Sequence, residues 1–284
     1  MAQLIDGKLV SQSVKDRIRD EVAVLKENGK EITLAVIIVG DDPASRVYVN
    51  NKKKACEYVG FRSLEYALPA ETTQEELIAL IEELNARDDV NGILCQLPVP
   101  KHIDDKAVIA AISVEKDVDA FSSYNVGKIM IGDYDFLPCT PAGVMEMLHY
   151  YDIAVEGKNC VVIGRSNIVG KPMSMLLLHE NGTVTMTHSR TKDLASFTKQ
   201  ADILVAAVGR AKFVTADMVG DGAVVIDVGM NRDENGKLCG DVDFAEVEPK
   251  ASYITPVPGG VGPMTIAMLM KNTLKATKLQ NNIL

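Results

Sequence analysis

Strand-like and helix-like segments alternate along the whole chain, and that alternation confines it to α/β folds built on parallel sheets. Thr33–Val39 is an apolar, β-branched run that stops at Gly40. Asp42-Pro43 then reads as an N-cap and first helical position, with Gly60 as the stop. Arg62–Leu68 is a second strand. Thr73-Gln-Glu-Glu76 is a capping box, and Leu77, Leu80, Ile81 and Leu84 after it keep a helical spacing that should face the core. Gly92–Cys95 is a third, buried strand, which Gln96-Leu-Pro-Val-Pro100 ends by placing two prolines where regular structure cannot continue.

The pattern restarts beyond Pro138-Cys-Thr-Pro141. A helix over 142–150 leads to a strand at Cys160–Ile163, a glycine loop, a helix to about Leu178 and a strand at Thr183–Thr187. Strands at Ile203–Ala206 and Ala223–Val228 complete the rhythm of a Rossmann-type sheet. The last helix, about Pro263–Leu279, is long and is expected to pack back on the first domain. The expected fold is therefore α/β with two domains: an N-terminal α/β domain over 1–138, joined by a C-terminal helix in 261–284, and a Rossmann-type domain over 139–260.

Gly164-Arg-Ser-Asn-Ile-Val-Gly170 follows a strand and opens a helix, the context in which backbone N–H groups and a helix N-terminus receive a phosphate. Its glycines depart from the usual G-x-G-x-x-G spacing, so context carries the reading. The following strand bears on which dinucleotide is bound. A chain that binds NAD usually ends that strand with a carboxylate for the ribose 2′-hydroxyl. This one continues Thr187-His-Ser-Arg-Thr191, with no carboxylate until Asp193. Ser189 can hydrogen-bond a 2′-phosphate, and Arg165 and Arg190 can neutralise it. NADP is the expected cofactor.

Two other places carry chemistry. Tyr48 and Lys52 lie four apart on one helix, which puts a flat ring and an ammonium on the same face. Lys53 beside them reads as a solvated residue. Lys116-Asp-Val-Asp119 sets two carboxylates beside a lysine; one of them suffices to grip an amidine-like edge such as a pterin or guanine presents. Gly259-Gly-Val-Gly-Pro263 is either a plain helix entry or a backbone that wraps closely around a ligand.

Composition excludes several classes. A net charge of −9 over 284 residues argues against a general nucleic-acid binder. No stretch approaches a membrane span, and the N-terminus has no signal-peptide character. Five scattered cysteines without a C-x-x-C pair suggest reduced thiols in the cytoplasm rather than zinc or disulfides. His102, His149, His179 and His188 show no metal-ligand spacing, and only His188 is placed near the cofactor by position.

In order along nearly the whole chain, Tyr48-x-x-x-Lys52, Gln96-Leu-Pro98, Lys116-Asp-Val-Asp119, Pro138-Cys-Thr-Pro141, the Gly164–Gly170 loop, Asp227-Val-Gly229 and Pro256-Val-Pro-Gly-Gly-Val-Gly-Pro-Met-Thr265 resemble the bifunctional methylenetetrahydrofolate dehydrogenase/methenyltetrahydrofolate cyclohydrolase family. The resemblance implies oxidation of 5,10-methylenetetrahydrofolate by NADP⁺ and hydrolysis of the methenyl cation to 10-formyltetrahydrofolate, in one-carbon metabolism. It implies Lys52 as the central acid/base group, Gln96 as its positioner and Tyr48 stacked on the folate. Asp119 would grip the pterin, with Pro258, Gly259 and Gly260 also against the substrate. Gly164, Arg165, Ser166, Ser189 and Met230 match the family's NADP contacts. A cytoplasmic homodimer without metal is implied as well. The family usually has glycine where this chain has Ala120, whose methyl group could crowd the pterin or restrict the backbone. A shikimate- or amino-acid-type dehydrogenase shares the layout but would not need the tyrosine–lysine and glutamine-leucine-proline set. An NADP-binding scaffold without catalysis would not need Lys52, Gln96 and Asp119 together. Residue types alone do not separate a dehydrogenase that lacks the hydrolytic step.

Overall fold

The computed structural model describes residues 2–283. In chain order its elements are β1 (Gln3–Leu4), α1 (Gly7–Glu27), β2 (Thr33–Val39), α2 (Pro43–Val59) and β3 (Arg62–Leu68). They continue with α3 (Gln74–Asn85), β4 (Gly92–Cys95), α4 (Asp105–Ala111), α5 (Ser123–Ile131) and α6 (Cys139–Tyr150). Next come β5 (Asn159–Ile163), α7 (Gly170–His179), β6 (Thr183–Thr187), α8 (Leu194–Thr198), β7 (Ile203–Ala206) and β8 (Val224–Asp227). The last are β9 (Asn231–Arg232), β10 (Leu238–Cys239), α9 (Phe244–Val247), β11 (Tyr253–Ile254) and α10 (Val261–Gln280). Two compact units result, neither of them a continuous stretch. One takes the N-terminal residues to Gln12 and Pro138–Thr265; the other takes Ser13–Leu137 and the chain from Ile266 onward.

The unit of Ser13–Leu137 carries a three-stranded parallel sheet in the order β3-β2-β4. All seven residues of β2 are buried, as an apolar β-branched run covered on both faces must be. The capping box at α3 is present: the Thr73 hydroxyl accepts the Glu76 N–H at 3.2 Å, and the Glu76 carboxylate accepts the Thr73 N–H at 2.8 Å. Leu77, Ile81 and Leu84 are buried as their spacing requires, with Leu80 half-buried beside them. Within the part of α1 that belongs here, Val14, Ile18, Val22 and Leu25 form a buried stripe at helical spacing, although this helix falls outside the segments expected above.

From Ile266 the C-terminal helix α10 belongs to this unit. Asn272 Nδ2 donates to the carbonyls of Val118 and Leu137, both at 2.8 Å. Near the end of the helix, Gln280 accepts from the Asn91 side chain and donates to the carbonyls of Asn91 and Glu115.

The other unit holds a six-stranded sheet in the order β1-β11-β8-β7-β5-β6, parallel throughout. Val161, Ile163, Leu204, Val225 and Ile254 pack in its core. Strands β5 to β8 fall within one residue of the expected bounds at each end. β1 and β11 are too short to show any period, and their register is Gln3↔Tyr253 and Leu4↔Ile254. β1 thus lies in this sheet, although its residues precede the first domain's own strands. β7, β5 and β6 are neighbours, so the loops after them emerge along the carboxyl edge, where ligands of doubly wound sheets bind.

The tie between α10 and its sheet has a measurable consequence. Asn272→Leu removes the donor from two carbonyls and should cost roughly 2–6 kcal/mol, at about 1–3 for each buried acceptor that loses it. A fall in the urea midpoint at constant slope would report it; an unchanged midpoint would mean that water replaces the amide.

Candidate active site

The site residues fall into two groups, one in each unit. Tyr48, Lys52, Gln96 and Asp119 belong to the Ser13–Leu137 unit. Gly164, Arg165, Ser166, Ser189, Met230, Pro258, Gly259 and Gly260 belong to the unit of the six-stranded sheet.

α2 starts where Asp42 accepts the Ser45 N–H at 2.7 Å and ends at Gly60, in the left-handed region. Val49, Lys52, Ala55, Cys56 and Val59 are its buried stripe, so Lys52 stands on the core face while Lys53 and Lys54 are exposed. Lys52 is only 7% exposed, and its Nζ donates to Gln96 Oε1 at 2.8 Å. Gln96 Nε2 in turn donates to the Leu97 carbonyl at 2.7 Å, which turns the amide oxygen toward the lysine. Gln96 sits at the end of β4, and its N–H is bonded to the Ile37 carbonyl of β2. The Leu97-Pro98 peptide is cis. Tyr48, one turn before Lys52, is half-buried, and burial raises its phenol above the usual range. Burial also pushes the Cys95 thiol up to about 12; Asp119 adds to that rise and Lys52 opposes it. The lysine and the aspartate therefore act on the same short stretch of β4 from opposite electrostatic sides.

The stretch Lys116–Asp119 divides its polar groups by task. Lys116 is buried and donates to the carbonyls of Leu84, Asn85 and Arg87 at 3.2, 2.8 and 2.7 Å, closing the C-terminus of α3. Asp117 accepts the N–H groups of Phe121 and Ser122 and the Asn125 amide, at 3.2, 2.8 and 2.8 Å. Asp119 stays half-buried, lining a small pocket with Cys95, Leu97, Ile112 and Phe121. Asp117 lines the same pocket, but its carboxylate is engaged by the following turn.

In the other unit the glycine loop leaves β5 as expected. A Cβ on Gly164 would lie 2.3 Å from the Ala207 carbonyl oxygen, so the loops after β5 and β7 are in backbone contact there. The Gly164 N–H donates to the Thr187 carbonyl at 2.9 Å, joining the loop to the end of β6. The Ser166 hydroxyl accepts the N–H groups of Val169 and Gly170 at 3.1 and 3.2 Å, capping the first turn of α7. Arg165, Ser189 and Arg190 are exposed around these strand ends. The His188 ring is held by its own turn, its Nδ1 accepting the Arg190 N–H at 3.1 Å. Met230 follows β8, and its terminal methyl group would lie 3.0 Å from a Cβ on Gly262. Pro258, after a cis peptide, and Gly259 precede Gly260, which lies buried against Gly7.

Residues 138–281 match the tetrahydrofolate dehydrogenase/cyclohydrolase NAD(P)-binding domain, and residues 5–119 match the catalytic domain of the same family. The bifunctional protein FolD of Agathobacter rectalis is 63% identical over 278 residues, covering 98% of this chain and 100% of that protein. The crystal structure of the bifunctional FolD methylenetetrahydrofolate dehydrogenase/cyclohydrolase from Campylobacter jejuni superposes with a TM-score of 0.96 at 51% identity, over 100% of both chains. The Trypanosoma brucei N5,N10-methylenetetrahydrofolate dehydrogenase-cyclohydrolase, complexed with NADP cofactor and an inhibitor, gives a TM-score of 0.94 at 40% identity, over 98% of both chains.

Ala120 is fully buried with φ at 57°, a conformation in which a Cβ is strained, and its N–H bonds the Asp117 carbonyl at 3.0 Å. Glycine there would relieve about 1–2 kcal/mol. It would also forfeit about 0.8 for the buried methyl and about 0.5–1 for chain entropy. Ala120→Gly should therefore unfold within about 1 kcal/mol of the parent, whereas Ala120→Val should lose at least about 2 through crowding and strain. Calorimetric melting of the two variants checks this; a stable Ala120→Val protein would mean that the loop relaxes.

Proposed function

The chain belongs to the tetrahydrofolate dehydrogenase/cyclohydrolase family, and from that premise we propose how its own residues divide the work. It is a bifunctional enzyme that oxidises 5,10-methylenetetrahydrofolate to 5,10-methenyltetrahydrofolate with NADP⁺ and hydrolyses the product to 10-formyltetrahydrofolate. The observation that carries the assignment of roles is the buried Lys52 amine held 2.8 Å from Gln96 Oε1.

NADP⁺, when bound, accepts the hydride that leaves the bridging carbon of the folate. Gly164, Arg165, Ser166, Ser189 and Met230 would hold it. What supports the fit is a glycine loop whose backbone has no room for a Cβ at Gly164, beside strand ends that carry Arg165 and Ser189 but no carboxylate. Tyr48 stacks on the folate, Asp119 accepts two N–H bonds from the pterin edge, and Pro258, Gly259 and Gly260 contribute backbone to the same substrate. The substrate nitrogen drives the hydride out, so the protein's task in that step is alignment. Hydrolysis asks more. Water adds to the carbon between N5 and N10, the bond from carbon to N5 breaks, one proton moves to N5 and another leaves for solvent. Lys52 carries these protons, and Gln96, fixed by the Leu97 carbonyl, holds one of its N–H bonds and aims the amine. A homodimer in the cytoplasm completes the reading; β6, an open edge of the six-stranded sheet, supports the pairing.

Lys52→Met keeps the apolar stem and removes the proton carrier. Hydrolysis of preformed methenyltetrahydrofolate, corrected for the spontaneous reaction, should fall about 10²–10⁴-fold. NADPH formation should fall less, and hydrolysis at the parent rate would remove Lys52 from the mechanism.

Arg165→Ala should weaken NADP⁺ by about 1.5–3 kcal/mol, the worth of a charge-assisted hydrogen bond, and should leave NAD⁺ nearly unchanged. Titration of both cofactors decides it, since equal weakening would mean that Arg165 does not read the 2′-phosphate.

A further inference from the structure

Two buried carboxylates lie under the carboxyl edge of the six-stranded sheet, in none of the roles assigned above. Asp241 is fully buried and accepts four N–H bonds. Its Oδ2 takes Val208 and Gly209 at 2.6 and 3.1 Å; its Oδ1 takes Arg210 at 2.8 Å and the Asn231 side-chain amide at 2.9 Å. Asp227, 3% exposed, accepts the N–H groups of Gly229, Asp241 and Val242 at 2.9, 2.8 and 2.9 Å. The packing is tight enough to dictate sequence. A Cβ on Gly229 would lie 2.3 Å from Asp241 Oδ1, and one on Gly240 would lie 1.8 Å from Asp227 Oδ2.

Such a pair is expensive to bury. Desolvation pushes the Asp227 carboxyl up to about 7, and Asp241 adds to the rise, while the N–H donors pull the other way. What the pair fixes is a set of loops. Val208–Arg210 continues from β7 directly after Ala207, whose carbonyl oxygen abuts the Gly164 phosphate loop. Asn231 is the immediate neighbour of Met230. Both segments leave adjacent parallel strands at the edge where a dinucleotide binds.

We infer that Asp241 is a positioning residue for the cofactor: its carboxylate gathers the loop after β7 and the Met230–Asn231 segment into the shape that receives NADP⁺. The inference rests on the functional reading above. It predicts damage to one activity only, because the loops that Asp241 holds contain none of the residues assigned to the folate or to hydrolysis: Tyr48, Lys52, Gln96, Asp119 and Pro258–Gly260.

The test is Asp241→Asn, which keeps the shape but turns an NH₂ group toward N–H donors, with Asn231→Ala as a milder second variant that removes a single donor. The parent is assayed first for both reactions, and its failure to oxidise methylenetetrahydrofolate with NADP⁺ would overturn the functional reading and this inference together. With an active parent, Asp241→Asn should lower kcat/KM for NADP⁺ at least tenfold, mainly through KM. Cofactor-free hydrolysis of preformed methenyltetrahydrofolate should stay within twofold. Asn231→Ala should show the same split at about threefold, and decides the matter alone if Asp241→Asn does not fold. Parallel loss of both activities, or an unchanged KM for NADP⁺, would overturn the inference.

Discussion

Lys52 points inward from a helix whose other buried side chains, among the described residues, are Ser45, Val49, Ala55, Cys56 and Val59. An ammonium stripped of water is costly unless its hydrogen bonds are replaced. Here a neutral amide supplies one of them, and that amide is pinned by its own backbone at the end of β4. The arrangement explains why β4 must stop where it does. Gln96 leaves the sheet at the point where its side chain reaches α2, and the two prolines after it prevent the strand from running on. A carboxylate in place of Gln96 would form an ion pair and hold the lysine protonated; the amide orients the amine without fixing its charge.

Polar groups that cluster in sequence rarely share one task. In Lys116–Asp119, the lysine satisfies three helix-end carbonyls and the first aspartate organises the following turn, while both aspartates line one small pocket. In the glycine loop, the Ser166 oxygen is engaged by two helix N–H groups, so what it retains toward a ligand is its own O–H. Unpaired backbone groups at turns and helix ends compete for every nearby side chain, so neighbours in sequence are drawn to different tasks.

The extended parallel strands were legible because a strand buried on both faces is a nearly continuous apolar run, as Thr33–Val39 and Ile203–Ala206 are. The two-residue strands β1 and β11 were not, since they exist only through pairing with partners far away in the chain. Lys52 and Gln96 could be singled out by motif, but nothing in the spacing announced that their side chains meet across 44 positions. Asp241 stood in no motif. Its importance comes from four donors on two separate loops, and the only trace in the sequence is a glycine directly before it and another two residues after Asp227.

The interleaving of the two units bears on how the protein is made. β1 is translated about 250 residues ahead of its partner β11. At about 5–20 residues per second, that is roughly 12–50 s during which the edge of the six-stranded sheet cannot close. The three-stranded sheet, complete by Cys95, has no such wait, although the part of α10 that joins its unit begins only at Ile266. Until α10 is made, the earlier unit therefore has its strands in place but lacks the Asn272 and Gln280 bonds that tie this helix to it.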